Sequence, residues 1–132
     1  MIGALMAMQN QFRVFHWQTE SHAQHVAFGG AYESLDELID EFVEVYQGKN
    51  GIVKPNDGFK IKLENLDGSP SDMIDVFIEF LQNDLPSQLE KTDTDLLNIR
   101  DEMLGLLNRT KYFYNHYLTE SFLDSSLQEF DF

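Results

Sequence analysis

The stretch that decides the fold runs from His16 to Glu44 and reads HWQTESHAQHVAFGGAYESLDELIDEFVE. Three of the four histidines lie here, and residues 21–47 contain six acids and no Lys or Arg. Apolar residues recur at steps of four and three, the spacing of one helix face. The stripe is Phe28, Tyr32, Leu35, Ile39, Phe42 and Tyr46. The sequence therefore predicts a helix with an apolar face, a row of carboxylates beside it and histidines near its start.

Length and composition bound the possible classes of protein. The 132 residues suit one domain, and the absence of cysteine excludes disulfides and thiolate metal sites. A net charge of -14 repels phosphate backbones, so we expect no direct nucleic-acid binding, while cations are attracted. No signal peptide and no apolar run of about 18 residues is present, so we expect a cytoplasmic protein that does not enter a membrane.

A first helix is predicted from Met1 to about Thr19, followed by a break in which Ser21 caps the second helix. The second helix is predicted to end at Gly48. In the competing interpretation the first helix continues to Ala27 and breaks at the two glycines that follow. If those glycines are interior to a helix, they cost about 2 kcal/mol, and close approach of a neighbouring helix is the usual compensation.

Two more helices complete the pattern, one opening at Ser69-Pro70 and kinked or ended by Pro86, the other starting at Asp93. We predict an all-α, four-helix bundle over residues 1–118. The connection over residues 49–69 carries four of the nine basic residues. The alternation of apolar and basic residues over 59–63 predicts a small β-hairpin, 51–54 with 59–63, or else an irregular crossover. Its lysines fit a solvated face better than a phosphate or partner patch.

The carboxylates of the second helix include like-charged pairs three or four residues apart, which destabilise a helix unless a cation binds. Imidazole and carboxylate together suit iron, manganese or zinc. His25 and Asp40 are fifteen residues apart, roughly 22 Å along one helix, so they can share an ion only across two antiparallel copies. The metal hypothesis therefore predicts a homo-oligomer, at least a dimer through the second helix.

Both helices resemble the Dps mini-ferritins of the ferritin-like superfamily. The resemblance is carried by the His16-Trp17 pair and by a second-helix pattern comprising His25, Phe28, Tyr32, Leu35, Asp40 and Glu44. It implies a ferritin-like bundle and a ferroxidase site with His16 and His25 from one chain and Asp40 and Glu44 from another. It also implies oxidation of iron(II) and a hollow oligomer. The alternative is that the histidines have backbone partners and the acids form a solvated face.

The C-terminal segment 119–132 is acidic and aromatic and falls outside the bundle pattern. It resembles the sliding-clamp-binding peptides that end T4-type phage DNA polymerases, matched at Ser126, Leu127, Phe130, Asp131 and Phe132. Leu127, Phe130 and Phe132 would fill a groove on the partner. The alternative function is then a non-catalytic phage adaptor on a ferritin-like scaffold, in the host cytoplasm. A disordered acidic tail is the other interpretation.

Overall fold

The computed structural model describes residues 1–67 and 70–131, with side chains described as far as Asn115. The described residues form an all-α fold, as predicted. The helices are α1 (Ile2–Gln18), α2 (His22–Asn50), α3 (Pro70–Glu79), α4 (Leu85–Ser87) and α5 (Thr94–Asp131), with a π-helical turn, Phe80–Asp84, between α3 and α4.

The break between α1 and α2 lies where the sequence predicts it. The chain turns to an extended conformation at Thr19, and the hydroxyl of Ser21 accepts a 3.2 Å hydrogen bond from the backbone N–H of Gln24. The competing interpretation, a first helix that continues to Ala27, is wrong. At its other end α2 passes the predicted stop at Gly48 and finishes at Gly51, whose φ of 88° favours glycine.

The core is built from the predicted apolar stripes. Phe28 of α2 lies between two α1 rings, 5.6 Å from Phe15 and 6.3 Å from Phe12, and Phe12 also contacts Phe77 of α3. Fully buried residues from every helix complete the same core, and they include Leu5, Met8, Leu35, Phe42, Ile74, Leu81, Leu85, Leu96, Met103 and Leu107. Burial of these side chains is the main term that stabilises the fold.

The connection between α2 and α3 is irregular, and the predicted hairpin is not confirmed. No strand forms among the described residues 51–67. Instead, the buried side chain of Gln11 bonds both backbone groups of Glu64, donating to its oxygen and accepting from its N–H at 2.8 Å each. Gln18 likewise accepts from the N–H of Leu66. Side chains of α1 thus pair three backbone groups of the connection, at Glu64 and Leu66, and hold its C-terminal part against α1.

The π-helical turn before Pro86 has a specific compensation. The backbone N–H of Leu85 donates a hydrogen bond to the backbone oxygen of Phe80, which is the five-residue spacing of a π-helix. The next bond in this pattern would join the backbone oxygen of Leu81 to an N–H of residue 86. Proline has no N–H to donate. The guanidinium of Arg100 donates to the Leu81 oxygen instead, at 3.1 Å. Pro86 therefore distorts the helix without leaving a buried carbonyl unpaired.

The C-terminal end of α2 is tied to the start of α5 by charge. The ammonium of Lys49 lies 2.7 Å from carboxylate oxygens of both Asp93 and Asp95. Hydrogen bonds from the ammonium to the two carboxylates raise the pKa of Lys49, and the same bonds lower the pKa of each aspartate. These groups are close to solvent, so their contribution to stability is modest.

Candidate functional site

Two predicted site residues meet at the junction between α1 and α2. The rings of His16 and His25 stack at a centroid distance of 3.7 Å, inclined by 19°. The Nδ1 of His16 bonds the backbone oxygen of His25 at 2.6 Å, and the Nδ1 of His25 bonds that of His16 at 2.7 Å. Because a carbonyl oxygen only accepts, both Nδ1 atoms must carry hydrogen. We call this reciprocal pair the histidine clasp.

The histidine clasp accounts for one of the two helical glycines. A Cβ atom built on Gly29 would lie 2.9 Å from two atoms of the His16 ring, closer than real side chains approach. A Cβ on Gly30 would meet nothing within 4 Å. The close approach that the sequence suggested is therefore present at Gly29, where it is made by a histidine ring, and not at Gly30.

Beside the histidine clasp lies a cluster that sequence reasoning missed, the Arg13 stack, formed by Arg13, Trp17 and Tyr32. The guanidinium carbon of Arg13 lies 4.9 Å from the ring centroids of both Trp17 and Tyr32. Arg13 also donates a 3.0 Å hydrogen bond to the Tyr32 hydroxyl. Trp17 remains 66% exposed. The four-residue spacing of Arg13 and Trp17 on a predicted helix was the available signal.

The predicted metal ligands are only partly brought together. His16 and His25 are adjacent, but Asp40 and Glu44 lie exposed farther along α2, which is one continuous helix. The distance from His25 to Asp40 along its axis is roughly 22 Å. No group of three or more His, Asp or Glu side chains among the described residues could hold a metal ion. A site completed by a second copy of the chain stays a prediction.

The acidic row of α2 faces solvent. All six carboxylates, Glu33, Asp36, Glu37, Asp40, Glu41 and Glu44, are exposed. Asp36 accepts a 2.7 Å hydrogen bond from the side chain of Gln9 on α1. This arrangement fits the simpler of the two sequence interpretations, in which the histidines have backbone partners and the acids form a solvated face.

The predicted partner-binding residues lie outside the described side chains. The backbone of α5 continues through Leu127 and Phe130 to Asp131, and Phe132 lies beyond the described residues. None of the described helices combines the length and the apolar composition that a membrane crossing requires.

Comparison with known proteins gives a family but no activity. The model of DUF5856, a family of unknown function, matches residues 16–113. Over 50 residues the chain is 42% identical to the "Uncharacterized 14.6 kDa protein in mobD-ri intergenic region" of Enterobacteria phage T4. That alignment spans 38% of this chain and 39% of the phage protein. No solved structure matches.

The resemblance to Dps mini-ferritins is therefore wrong. The matched family region contains all four predicted ligands, His16, His25, Asp40 and Glu44, and neither comparison indicates a ferritin-like family. Four of the residues that carried the resemblance serve packing or local hydrogen bonding: Phe28 and Leu35 fill the core, and both histidines bond backbone carbonyls. The ferroxidase and hollow-oligomer expectations rested on that resemblance and lose its support, whereas the iron, manganese or zinc hypothesis rests on the residue types alone and stays a prediction.

Proposed function

Since the chain belongs to the DUF5856 family of unknown function, we propose its function from its own surface: a non-catalytic interaction protein built on a four-helix bundle. The T4 relative supports a role in phage biology. The observation that carries the proposal is the Arg13 stack, because it brings together three side chains of the kinds that dominate binding hot spots, with Arg13 and Trp17 exposed and Tyr32 half-buried.

The Arg13 stack is organised before any partner arrives. Contacts with two rings and a hydrogen bond to Tyr32 restrict the long side chain of Arg13. A restricted side chain loses less conformational entropy on binding than a mobile one. The exposed indole of Trp17 offers a large apolar area, so a partner gains by covering it.

The charges beside the Arg13 stack indicate the chemistry of the partner. Asp36 follows Tyr32 by four residues and Asp40 by eight, so these carboxylates continue along the same side of α2. Both are exposed. A fitting partner is a protein with an apolar pocket for Trp17 and basic residues facing the acidic row, which would also speed association.

The test uses the tagged full chain and a lysate of phage-infected bacterial cells. Captured proteins are identified, purified and titrated by calorimetry against the wild type, Trp17→Ala and Ile52→Ala. Ile52 is the matched control because it is also apolar and exposed, at 81%. We expect Trp17→Ala to weaken binding about tenfold or more, as removal of a hot-spot residue does. Equal affinity of the two variants, or the absence of a specific partner, would contradict the proposal.

A second proposed contact is the C-terminal segment, whose sequence SSLQEFDF resembles phage clamp-binding peptides. Its support is the resemblance together with the phage relative. Deletion of residues 125–132 should abolish binding to a purified T4-type sliding clamp and leave the melting temperature unchanged. The segment is not a clamp-binding contact if the wild type does not bind the clamp, or if the deletion variant still binds it. Either result leaves the Arg13 stack as the proposed contact.

A further inference from the structure

A groove runs along the outer face of α2 and α5, on the other side of α2 from the Arg13 stack. Two cavities of about 210 and 480 Å³ form it, and both are lined by Ser34, Leu106 and Arg109. Tyr32 and Ser34 are two residues apart, which turns a helix by about 200°. This α2–α5 groove is therefore a separate surface from the proposed partner site.

The α2–α5 groove has a glycine on each wall, Gly30 on α2 and Gly105 on α5, and no contact within the described part of the chain requires either glycine. A Cβ atom on Gly30 or on Gly105 would meet nothing within 4 Å. Glycine in a helix interior costs about 1 kcal/mol relative to alanine. These two glycines therefore carry a cost that no contact within the described part of the chain explains. A groove with glycine on both walls lets the backbone of a third helix approach closely.

The α5 wall of the α2–α5 groove carries a self-complementary pair of charges, and Glu37 on the α2 wall adds one further acid. Glu102 and Arg109 are exposed, and they lie seven residues apart on α5, roughly 10 Å along its axis. Gly105 and Leu106 occupy the midpoint between them. If two copies of α5 cross antiparallel at this midpoint, Glu102 of each copy faces Arg109 of the other. The same pair forms twice, as a two-fold interface requires.

We propose that the occupant of the α2–α5 groove is a second copy of this chain, in a symmetric dimer whose axis passes beside Gly105. The pairing differs from the antiparallel α2 pairing that the metal hypothesis predicted. The α2 pairing sets Asp40 and Glu44 of each copy against His16 and His25 of the other, whereas the groove sets Glu102 of each copy against Arg109 of the other. In the described part of the chain Arg109 makes no ion pair, so it is available for this contact.

The proposed dimer is expected to be weak. The cavities extend from Val26 to Leu38 on α2, roughly 18 Å, which supports an interface smaller than the standard 1,600 Å² or so. Each copy also carries a charge of -14, which opposes association at long range. We therefore expect a dimer that dissociates on dilution.

Sedimentation equilibrium of the full chain tests the proposal with a charge swap. Arg109→Glu and Glu102→Lys each replace two attractive pairs by two repulsive ones, so each should weaken the dimer about tenfold or more. The double variant Glu102→Lys/Arg109→Glu restores both pairs with reversed sign and should dimerise again. Lys54→Glu is the control, because it changes the charge as Arg109→Glu does at an exposed position outside the groove. It should leave the dimer in place.

A wild type that stays monomeric up to about 1 mM would overturn the dimer, as would a charge swap that fails to restore association.

Gly105→Gln gives an independent check. Glutamine is the better helix former, so this variant should melt at a higher temperature and yet dimerise less well, because its side chain separates the two helices. If Gly105→Gln dimerises like the wild type, the crossing point is not where we place it. Trp17→Ala should not affect the dimer, so this proposal and the proposed partner site can fail separately.

Discussion

Gly29 and Gly30 are neighbours in α2, but they face different environments. Gly29 lies against the His16 ring, at a distance that leaves no room for a side chain, whereas Gly30 faces the open α2–α5 groove. One glycine is required by the packing of α1 on α2 and the other is not. The fold therefore needs glycine at position 29, whereas no contact within the described part of the chain requires glycine at position 30.

The largest expected effect is at Gly29. Gly29→Ala should lower the free energy of unfolding by about 2 kcal/mol, because overpacking against the His16 ring outweighs the better helix propensity of alanine. Urea denaturation at low protein concentration measures this. A stability equal to or above that of the wild type would show that the His16 ring moves aside at no cost.

A smaller effect of opposite sign is expected at Gly30. Gly30→Ala should raise the free energy of unfolding by up to about 1 kcal/mol, because the added methyl group meets open space and alanine favours the helix. The same denaturation at low protein concentration, where the proposed dimer is dissociated, gives the value. A loss of stability would mean that α2 is packed more closely on this side than the structure indicates.

The smallest effect is expected at the C-terminal end of α2, where Lys49 forms ion pairs with Asp93 and Asp95 at the start of α5. The lowered pKa of Asp93 and Asp95 means that their contribution is present above pH 3.8 or so and is lost as the pH falls through the folded values. The raised pKa of Lys49 means that its contribution persists below about pH 10.5 and disappears as the pH rises through the folded value.

Lys49→Met should therefore be slightly less stable than the wild type near pH 7, and this difference should disappear as the pH falls below 3.8 and through the lowered pKa values of Asp93 and Asp95. Salt at 1 M should also reduce the difference, since exposed charges are screened. Thermal unfolding across this pH series measures it. A difference that is constant at every pH would mean that Lys49 acts through packing rather than through charge.

The sequence predicted those parts of the fold that local rules determine. The apolar stripes gave the helices and the core, and Ser21 gave the start of α2, because capping and periodicity act over a few residues. The hairpin predicted over residues 51–54 and 59–63 is not formed, and the contact of Gln11 with the backbone of Glu64, 53 positions away, could not be predicted from local alternation. The end of α2 was predicted at Gly48, but the helix continues to Asn50 and the glycine with a positive φ is Gly51. The sequence does not show which of the two glycines adopts that conformation.

The sequence predicted part of the candidate site. His16 and His25 were expected together, and their Nδ1 bonds match the interpretation in which the histidines have backbone partners. The Arg13 stack was missed because Tyr32 joins Arg13 and Trp17 only after α1 and α2 pack. The likeness to mini-ferritins rested on an amphipathic stripe with histidines, a pattern that ordinary helix packing also produces.

The most direct test of the contrast between the two glycines is a pair of double-mutant cycles with His16→Ala. Removal of the ring should relieve the clash at Gly29, so His16→Ala and Gly29→Ala should show a coupling free energy of about 1–2 kcal/mol in urea denaturation. His16→Ala and Gly30→Ala should be additive within about 0.5 kcal/mol. Equal coupling in both cycles would contradict the assignment of Gly29 to the fold and of Gly30 to the open groove.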